Sequence, residues 1–328
     1  MSNHKKVIFV FTKDKPKVFG ETLSQLKNFD DRVIIIDDSF YESNQKSNRE
    51  LLKHVPNAIY YGKNEFNESE ITHNLMSNGF NFIYRQLGNE EWNLGYARNY
   101  ALFLSKIYNA NKVLFIDDDI VIPKEEIIIN SFKLLEQFNF VGATIAGMID
   151  DSLLGHISNE LGLIDTYERT LSGGFLAFNP KKIRFPFLNI YNEDWIWLFL
   201  HSHEEKYLQL EFVIQKKTNP YIGYENKILF QEYGEIFIKG ILIAKGKSNF
   251  EILPSKSFWE NVIQERKVYL SELYDFAKIS NRKDLQTMIK WLLQNYFQYE
   301  SIYFSEKFRD FLNNKQKFEK HIQFNINQ

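Results

Sequence analysis

An α/β fold around a mostly parallel sheet, flanked by helices and followed by a helical extension, is what this sequence predicts. Three observations carry it. Short unbroken apolar runs at 7–12, 32–36 and 113–116 have the length and composition of strands buried on both faces. Segments with helical spacing alternate with them, which implies right-handed β-α-β crossovers. Acidic residues fall where those strands end, and the carboxyl ends of parallel strands are where such folds bind ligands.

The elements follow in order. Pro16 opens a helix whose Phe19, Leu23 and Leu26 share one face, and a polar helix is expected over 45–54. A short strand near 58–61 precedes a polar, irregular stretch at 62–77, and 82–85 reads as another strand. Ala97, Ala101, Leu104 and Tyr108 define a helix beginning near Gly95. Residues 123–138 read as helix, 140–185 as mixed strands and loops, and 221–243 as strand. Composition shifts near Pro254, so two domains are expected, 1–250 and a helical 251–328. In the second, Trp259, Val262, Leu270 and Leu273 mark one helix. Asn281 is placed to cap the next, and a third is expected over 305–318.

Composition narrows the function classes. Lys plus Arg is 40 against 42 Asp plus Glu, a net charge of −2, so no basic field exists to hold nucleic acid. Cysteine is absent, which removes thiolate metal sites and cysteine nucleophiles together. The first apolar run is too short for a signal-peptide core, and no segment is long and uncharged enough to span a bilayer. A cytoplasmic protein is expected.

The most informative segment is Val113-Leu-Phe-Ile-Asp-Asp-Asp-Ile-Val-Ile122. Three carboxylates at the mouth of a buried strand repel one another and resist dehydration, so they call for a counterion. Oxygen ligands suit a hard cation, Mg²⁺ or Mn²⁺, which usually also carries substrate phosphates. Strand alternation puts Asp117 and Asp119 on one side and Asp118 on the other. The alternative is a solvated acidic turn ahead of Pro123.

The succession Asp37-Asp38-Ser39, Gly95-Tyr-Ala-Arg-Asn99, Phe115-Ile-Asp-Asp-Asp119, Leu171-Ser-Gly-Gly-Phe-Leu-Ala-Phe178 and Asn192-Glu-Asp-Trp195 resembles that of GT-A-type glycosyltransferases. The second family of the usual classification and the polypeptide N-acetylgalactosaminyltransferases show this order. The likeness covers roughly residues 5–245. It implies a Rossmann-like GT-A fold and a nucleotide-sugar donor, UDP- or GDP-linked, with Mn²⁺ or Mg²⁺ as cofactor. The acceptor, whether glycan, lipid, protein or small molecule, stays open.

The resemblance also implies roles. Asp38, Arg98, Asn99, Asp117, Gly173 and Gly174 would contact the donor, with Asp37 either doing so or capping its turn. Asp117 and Asp119 would hold the metal, Asp119 as the direct ligand. Asp194 would be the general base, favouring inversion, and Glu193 would contact the acceptor or steady the motif. Trp195 and Trp197 offer an apolar wall for a sugar. A third metal ligand is unassigned, since His201 and His203 follow too soon and Glu232 reads as a strand-edge acid. Processive synthases' Gln-x-x-Arg-Trp signature is absent, so single addition is expected.

Two rival readings stand beside this one. A sugar-nucleotide nucleotidyltransferase should carry a glycine-rich loop after the first strand, where Phe11-Thr-Lys-Asp-Lys-Pro16 has lysines and no glycine. A non-catalytic nucleotide- or carbohydrate-binding module should have lost acids that are here intact.

Overall fold

The computed structural model describes residues 6–324 apart from 86, 88–91, 147–151, 164–170, 202–206 and 217–222. Its first strands are β1 (Lys6–Thr12), β2 (Arg32–Asp37), β3 (Ala58–Tyr61) and β4 (Lys112–Asp117), all parallel. Then come β5 (Ile120–Val121), β6 (Phe140–Ala146), β7 (Phe175–Phe178) and β8 (Tyr207–Gln215). They form one sheet in the order β3-β2-β1-β4-β7-β6-β8-β5. The α/β architecture is as expected, with one refinement. β7 runs antiparallel to both β4 and β6, so the sheet is mixed. An antiparallel strand begins where its neighbour ends. Phe175 therefore pairs with Ile116 and delivers the glycines before it to the carboxyl end of β4.

Alternation along β1 explains the layers. Val7, Phe9 and Phe11 join Ile34, Ile36, Val113 and Phe115 on one face. That face is covered by Ala97, Tyr100, Ala101 and Leu104 of helix Leu94–Ile107. Ile8 and Val10 join Val33, Ile35, Leu114 and Ile116 on the other, under Phe19 and Leu23 of helix Pro16–Ser24 and Ile128 and Phe132 of helix Glu126–Leu134. Each such fully buried side chain contributes about 1.5–3 kcal/mol, which fixes the register of the strands that end in acids. In chain order the helices are α1 (Pro16–Ser24), α2 (Glu42–Leu51), α3 (Lys63–Glu68), α4 (Glu70–Ser77), α5 (Leu94–Ile107) and α6 (Glu126–Leu134). They continue with α7 (Leu153–Glu160), α8 (Glu193–His201), α9 (Tyr224–Gly246), α10 (Lys256–Ile279), α11 (Lys283–Gln294) and α12 (Ser301–Phe324).

Several local expectations are overturned. The stretch at 62–77 is α3 and α4 rather than irregular. Ser69 Oγ caps α4 by accepting from Thr72 N, and Phe66 packs on Tyr84 and Tyr100. Residues 82–85 form no strand, because the Phe82 carbonyl accepts from Asn99 Nδ2 instead of a ladder partner. The strand expected at 221–243 is α9 wherever it is described. Its Ile228, Phe237, Ile241 and Ala244 fill the helical core at helical spacing, and packing overrides their strand propensity. Asn281 does not cap α11; at φ +55° it terminates α10, and Arg282 N donates back to the Ala277 carbonyl. Leu154 of α7, Ile196 of α8 and Phe237 of α9 belong to one apolar cluster with Trp259, Leu285 and Phe304, so the helical layer includes residues on both sides of position 250.

A buried ionic network fastens this layer. Glu232 of α9 is fully buried and accepts from Arg266 Nε at 3.0 Å, Arg266 Nη2 at 3.2 Å and Tyr296 Oη at 3.1 Å. Removing one member of such a pair strands an uncompensated charge. The variant Arg266→Met is expected to lower unfolding free energy by about 3–5 kcal/mol in urea titration. A loss under about 1 kcal/mol would show that Glu232 finds water or a proton instead.

Candidate active site

Register gathers the strand-end acids before any loop is considered. Thr12 pairs with Asp37 and Phe11 with Asp117, so the chain leaves β1, β2 and β4 at nearly one level. Asp37 itself is fully buried and occupied. It accepts from Ser39 N at 2.8 Å, Asn48 Nδ2 at 2.9 Å and Tyr60 Oη at 2.5 Å, while its carbonyl accepts from Tyr84 Oη. Of its two expected roles, it takes the turn-building one. That turn presents Asp38, whose Oδ1 accepts from Asn93 Nδ2 at 2.8 Å and whose Oδ2 lies 3.3 Å from Lys13 Nζ. Burial pushes the Asp38 carboxyl up to about 6, against the pull of Lys13.

The Asp triplet divides as alternation predicts. Asp118 turns away to accept from Thr12 Oγ1 at 2.8 Å and to face Lys15 Nζ at 3.9 Å. Asp117 turns toward Arg98, which grips both of its oxygens through Nη2 at 3.1 and 3.2 Å. Asp119 is 9% exposed; its Oδ2 accepts from Gln215 Nε2 at 3.3 Å, and its Oδ1 is buried with no hydrogen-bond partner among the described residues. Gln215 arrives because β5 pairs with the end of β8, a contact no local sequence signal announces.

Arg98 is the centre of the site, paired with acids from two other elements. Its side chain is 1% exposed, and Nη1 donates to Glu193 Oε1 at 2.6 Å while Nη2 holds Asp117. Phe11 and Phe187 place their rings 5.8 Å from the guanidinium carbon, which keeps water out. One cation thus serves two carboxylates in an apolar setting, so the group retains a proton beyond the usual carboxylate range. Burial raises Asp117 to about 7 and Glu193 to about 8, with Arg98 opposing both.

The neighbouring motif residues also build the site's frame. Asn99 is fully buried; its Nδ2 donates to the Phe82 and Phe187 carbonyls, and its Oδ1 accepts from Phe187 N at 2.6 Å. It clamps the 187 loop. Gly95 lets that loop approach, since a Cβ there would lie 2.1 Å from the Leu188 carbonyl oxygen. Gly173 N donates to Asp194 Oδ2 at 2.6 Å, and Gly174 N to Ser172 Oγ at 3.2 Å. Both amides are engaged within the protein. Gly173 has to be glycine, because a Cβ would fall 2.3 Å from Arg98 Nη1.

Asp194 is half-buried at the start of α8, with Oδ1 accepting from Trp195 N at 2.8 Å and Oδ2 from Gly173 N. Each oxygen keeps a lone pair for a further proton donor. Glu193 is 2% exposed and tied to Arg98. Trp197 is core, stacked on Phe187 at 4.4 Å, while Trp195 is half-buried. His201 is 3% exposed; Arg184 N donates to its Nε2, so its own proton sits on Nδ1 and goes to the Trp197 carbonyl. Burial holds its pKa down at about 4, which makes it a neutral packing residue. His203 lies outside the described residues. Glu232 is committed to Arg266, far from the role of a strand-edge acid.

Among the described residues no group of three or more His, Cys, Asp or Glu side chains could hold a metal ion. The donor set is instead one orphaned carboxylate oxygen, Asp119 Oδ1, since both Asp117 oxygens face Arg98. Mg²⁺ and Mn²⁺ sites that use one carboxylate with substrate phosphates and waters fit such a set.

No protein-family model matches the chain, and no curated protein matches it in sequence. Solved structures do. The glucosyl-3-phosphoglycerate synthase from Mycobacterium tuberculosis, solved with Mn²⁺, UDP-glucose and glycerol 3-phosphate, is 13% identical, with 69% of this chain and 78% of that one covered at a TM-score of 0.45. A nucleotide-diphospho-sugar transferase from Desulfovibrio desulfuricans is 11% identical over 66% and 83% at 0.38. The 4-diphosphocytidyl-2C-methyl-D-erythritol synthase from Anaerococcus prevotii is 14% identical over 69% and 96% at 0.36. No helix among the described residues is long and apolar enough to cross a membrane.

The buried acids set a pH dependence. In the unfolded chain they lose their protons near pH 4. In the folded chain Asp38 and Asp118 hold theirs to about 6, Asp117 to about 7 and Glu193 to about 8. Across that window the folded state binds more protons, so stability falls as pH rises. Urea midpoints are expected to be lower near pH 8.5 than near pH 5.5. A higher midpoint at the alkaline pH would mean that these acids are ionised throughout.

Proposed function

We propose that the chain is a glycosyltransferase moving one sugar from a nucleoside-diphosphate donor to an acceptor hydroxyl. One hydrogen-bonded path supports this reading above all: Asp117 to Arg98 to Glu193 on one side, and Gly173 to Asp194 on the other. It joins the end of β4, the start of α5, the glycine turn and the start of α8, four of the five motifs that carry the family likeness.

Asp38 accepts hydrogen bonds from the donor's base or ribose, held in place by Asn93 and Lys13. Asp117, fixed at both oxygens by Arg98, faces the ribose or sugar with lone pairs in reserve. Asp119 Oδ1 is the ligand for Mg²⁺ or Mn²⁺, which when bound offsets charge on the departing diphosphate as a Lewis acid. Asp194 takes the acceptor proton. Its two backbone amide donors, Gly173 N and Trp195 N, orient both oxygens. An acid poised opposite the leaving group favours inversion at the sugar carbon.

The test is a panel of UDP-, GDP- and TDP-sugars read by thermal shift and by sugar release, with and without Mn²⁺. Asp119→Asn is expected to abolish the Mn²⁺-dependent thermal shift with the preferred donor. Asp194→Asn should keep donor binding and lose turnover by on the order of 10²–10⁴-fold. Donor affinity unchanged in Asp119→Asn, or full turnover in Asp194→Asn, would overturn the assignment.

A further inference from the structure

Asn192 stands immediately before Glu193 and Asp194, and its backbone is left-handed at φ +62°. That conformation costs an L-residue roughly 1–2 kcal/mol, so it persists where neighbours enforce it. Two neighbours do, and both lie on α9. Asn192 Nδ2 donates to Glu235 Oε1 at 2.9 Å. One residue earlier, Gly234 meets the loop so closely that a Cβ would sit 2.2 Å from the Tyr191 carbonyl oxygen. Glu235 is in turn held from behind. It is 9% exposed, its Oε2 lies 3.6 Å from Arg266 Nη2, and that guanidinium is fixed on fully buried Glu232.

We infer that Glu235, backed by Arg266 and Glu232, is a positioning residue that sets the aim of Asp194. This rests on the proposed role of Asp194 as base. The turn's orientation passes directly into the site: the Asn192 carbonyl accepts from Ile196 N at 3.0 Å to open α8, and the next two side chains go to Arg98 and Gly173. A swing of the turn would therefore misdirect Asp194 while leaving Asp38 and Asp119, on separate strand ends, where they are. The helical layer thereby becomes part of the catalytic apparatus.

Three variants test this. Glu235→Ala removes the acceptor for Asn192. Glu235→Gln keeps an acceptor oxygen. Asn192→Gly tolerates the left-handed turn but drops the anchor, and it carries the test if Glu235→Ala does not fold. Turnover is expected to fall on the order of 10- to 100-fold in Glu235→Ala and Asn192→Gly, with donor KM and donor-induced thermal shift held. Glu235→Gln should restore most of it. Wild-type turnover in both damaged variants, or turnover and donor affinity falling together, would overturn the inference. Amide exchange at Gly173, Trp195 and Ile196 gives a readout independent of sugar transfer. Faster exchange in Glu235→Ala than in Glu235→Gln supports the anchor even if no donor is turned over, in which case only the transferase reading fails. Equal exchange in all variants sinks the anchor itself.

Discussion

One guanidinium shared by two carboxylates is the constraint around which the site is built. Arg98 comes from α5, Asp117 from the end of β4 and Glu193 from the start of α8, so the three are brought together by the tertiary fold alone. A buried ion costs several kcal/mol to dehydrate, and one cation cannot fully offset two acids. A proton retained above the usual carboxylate range is the outcome, and it sits beside Asp119 and Asp194. Phe11 and Phe187 seal the group, which makes the electrostatics of the site strong and its geometry inflexible. Gly173 follows from the same constraint, because any larger residue would displace the arginine.

The helical layer repeats this logic at a distance. Glu232 and Arg266 make a second buried pair, and Glu235 extends it to the turn ahead of Glu193. Close backbone contact at Gly234 removes the slack that would let the two units drift. Catalytic sheet and helical extension are thus joined by polar contacts whose rupture strands charge, in addition to an apolar seam that includes Ile196 and Phe237. Such joints specify geometry more than they add stability.

Legibility varied with the range of the interaction that decides each feature. The strands and their acidic ends could be read because runs such as Val33–Ile36 have one energetically acceptable place, a sheet covered on both faces. The opposite faces taken by Asp118 and its neighbours followed from strand alternation. The 62–77 region hid two helices because its polar composition outweighs a few anchoring residues, among them Phe66 and Leu75. Residues 224–243 read as strand because isoleucine, phenylalanine and tyrosine favour extended chain locally, whereas the helical core rewards them at helical spacing. Gln215, Asn93 and Glu235 gave no signal at all; each acts through a partner far away in the chain.

By itself the sequence determined which residues could carry charge chemistry: Asp38, the 117–119 triplet, and Glu193 with Asp194, each marked by its place at the end of an apolar run or the start of a helix. Local pattern suffices there, since solvation penalties forbid such residues elsewhere. Only the tertiary structure decided what each does with its charge. It engaged Arg98, Asn99 and both glycines in hydrogen bonds within the protein and left Asp119 Oδ1 without a partner among the described residues. The reason is that a polar group's role depends on who saturates it, and the saturating groups come from across the fold.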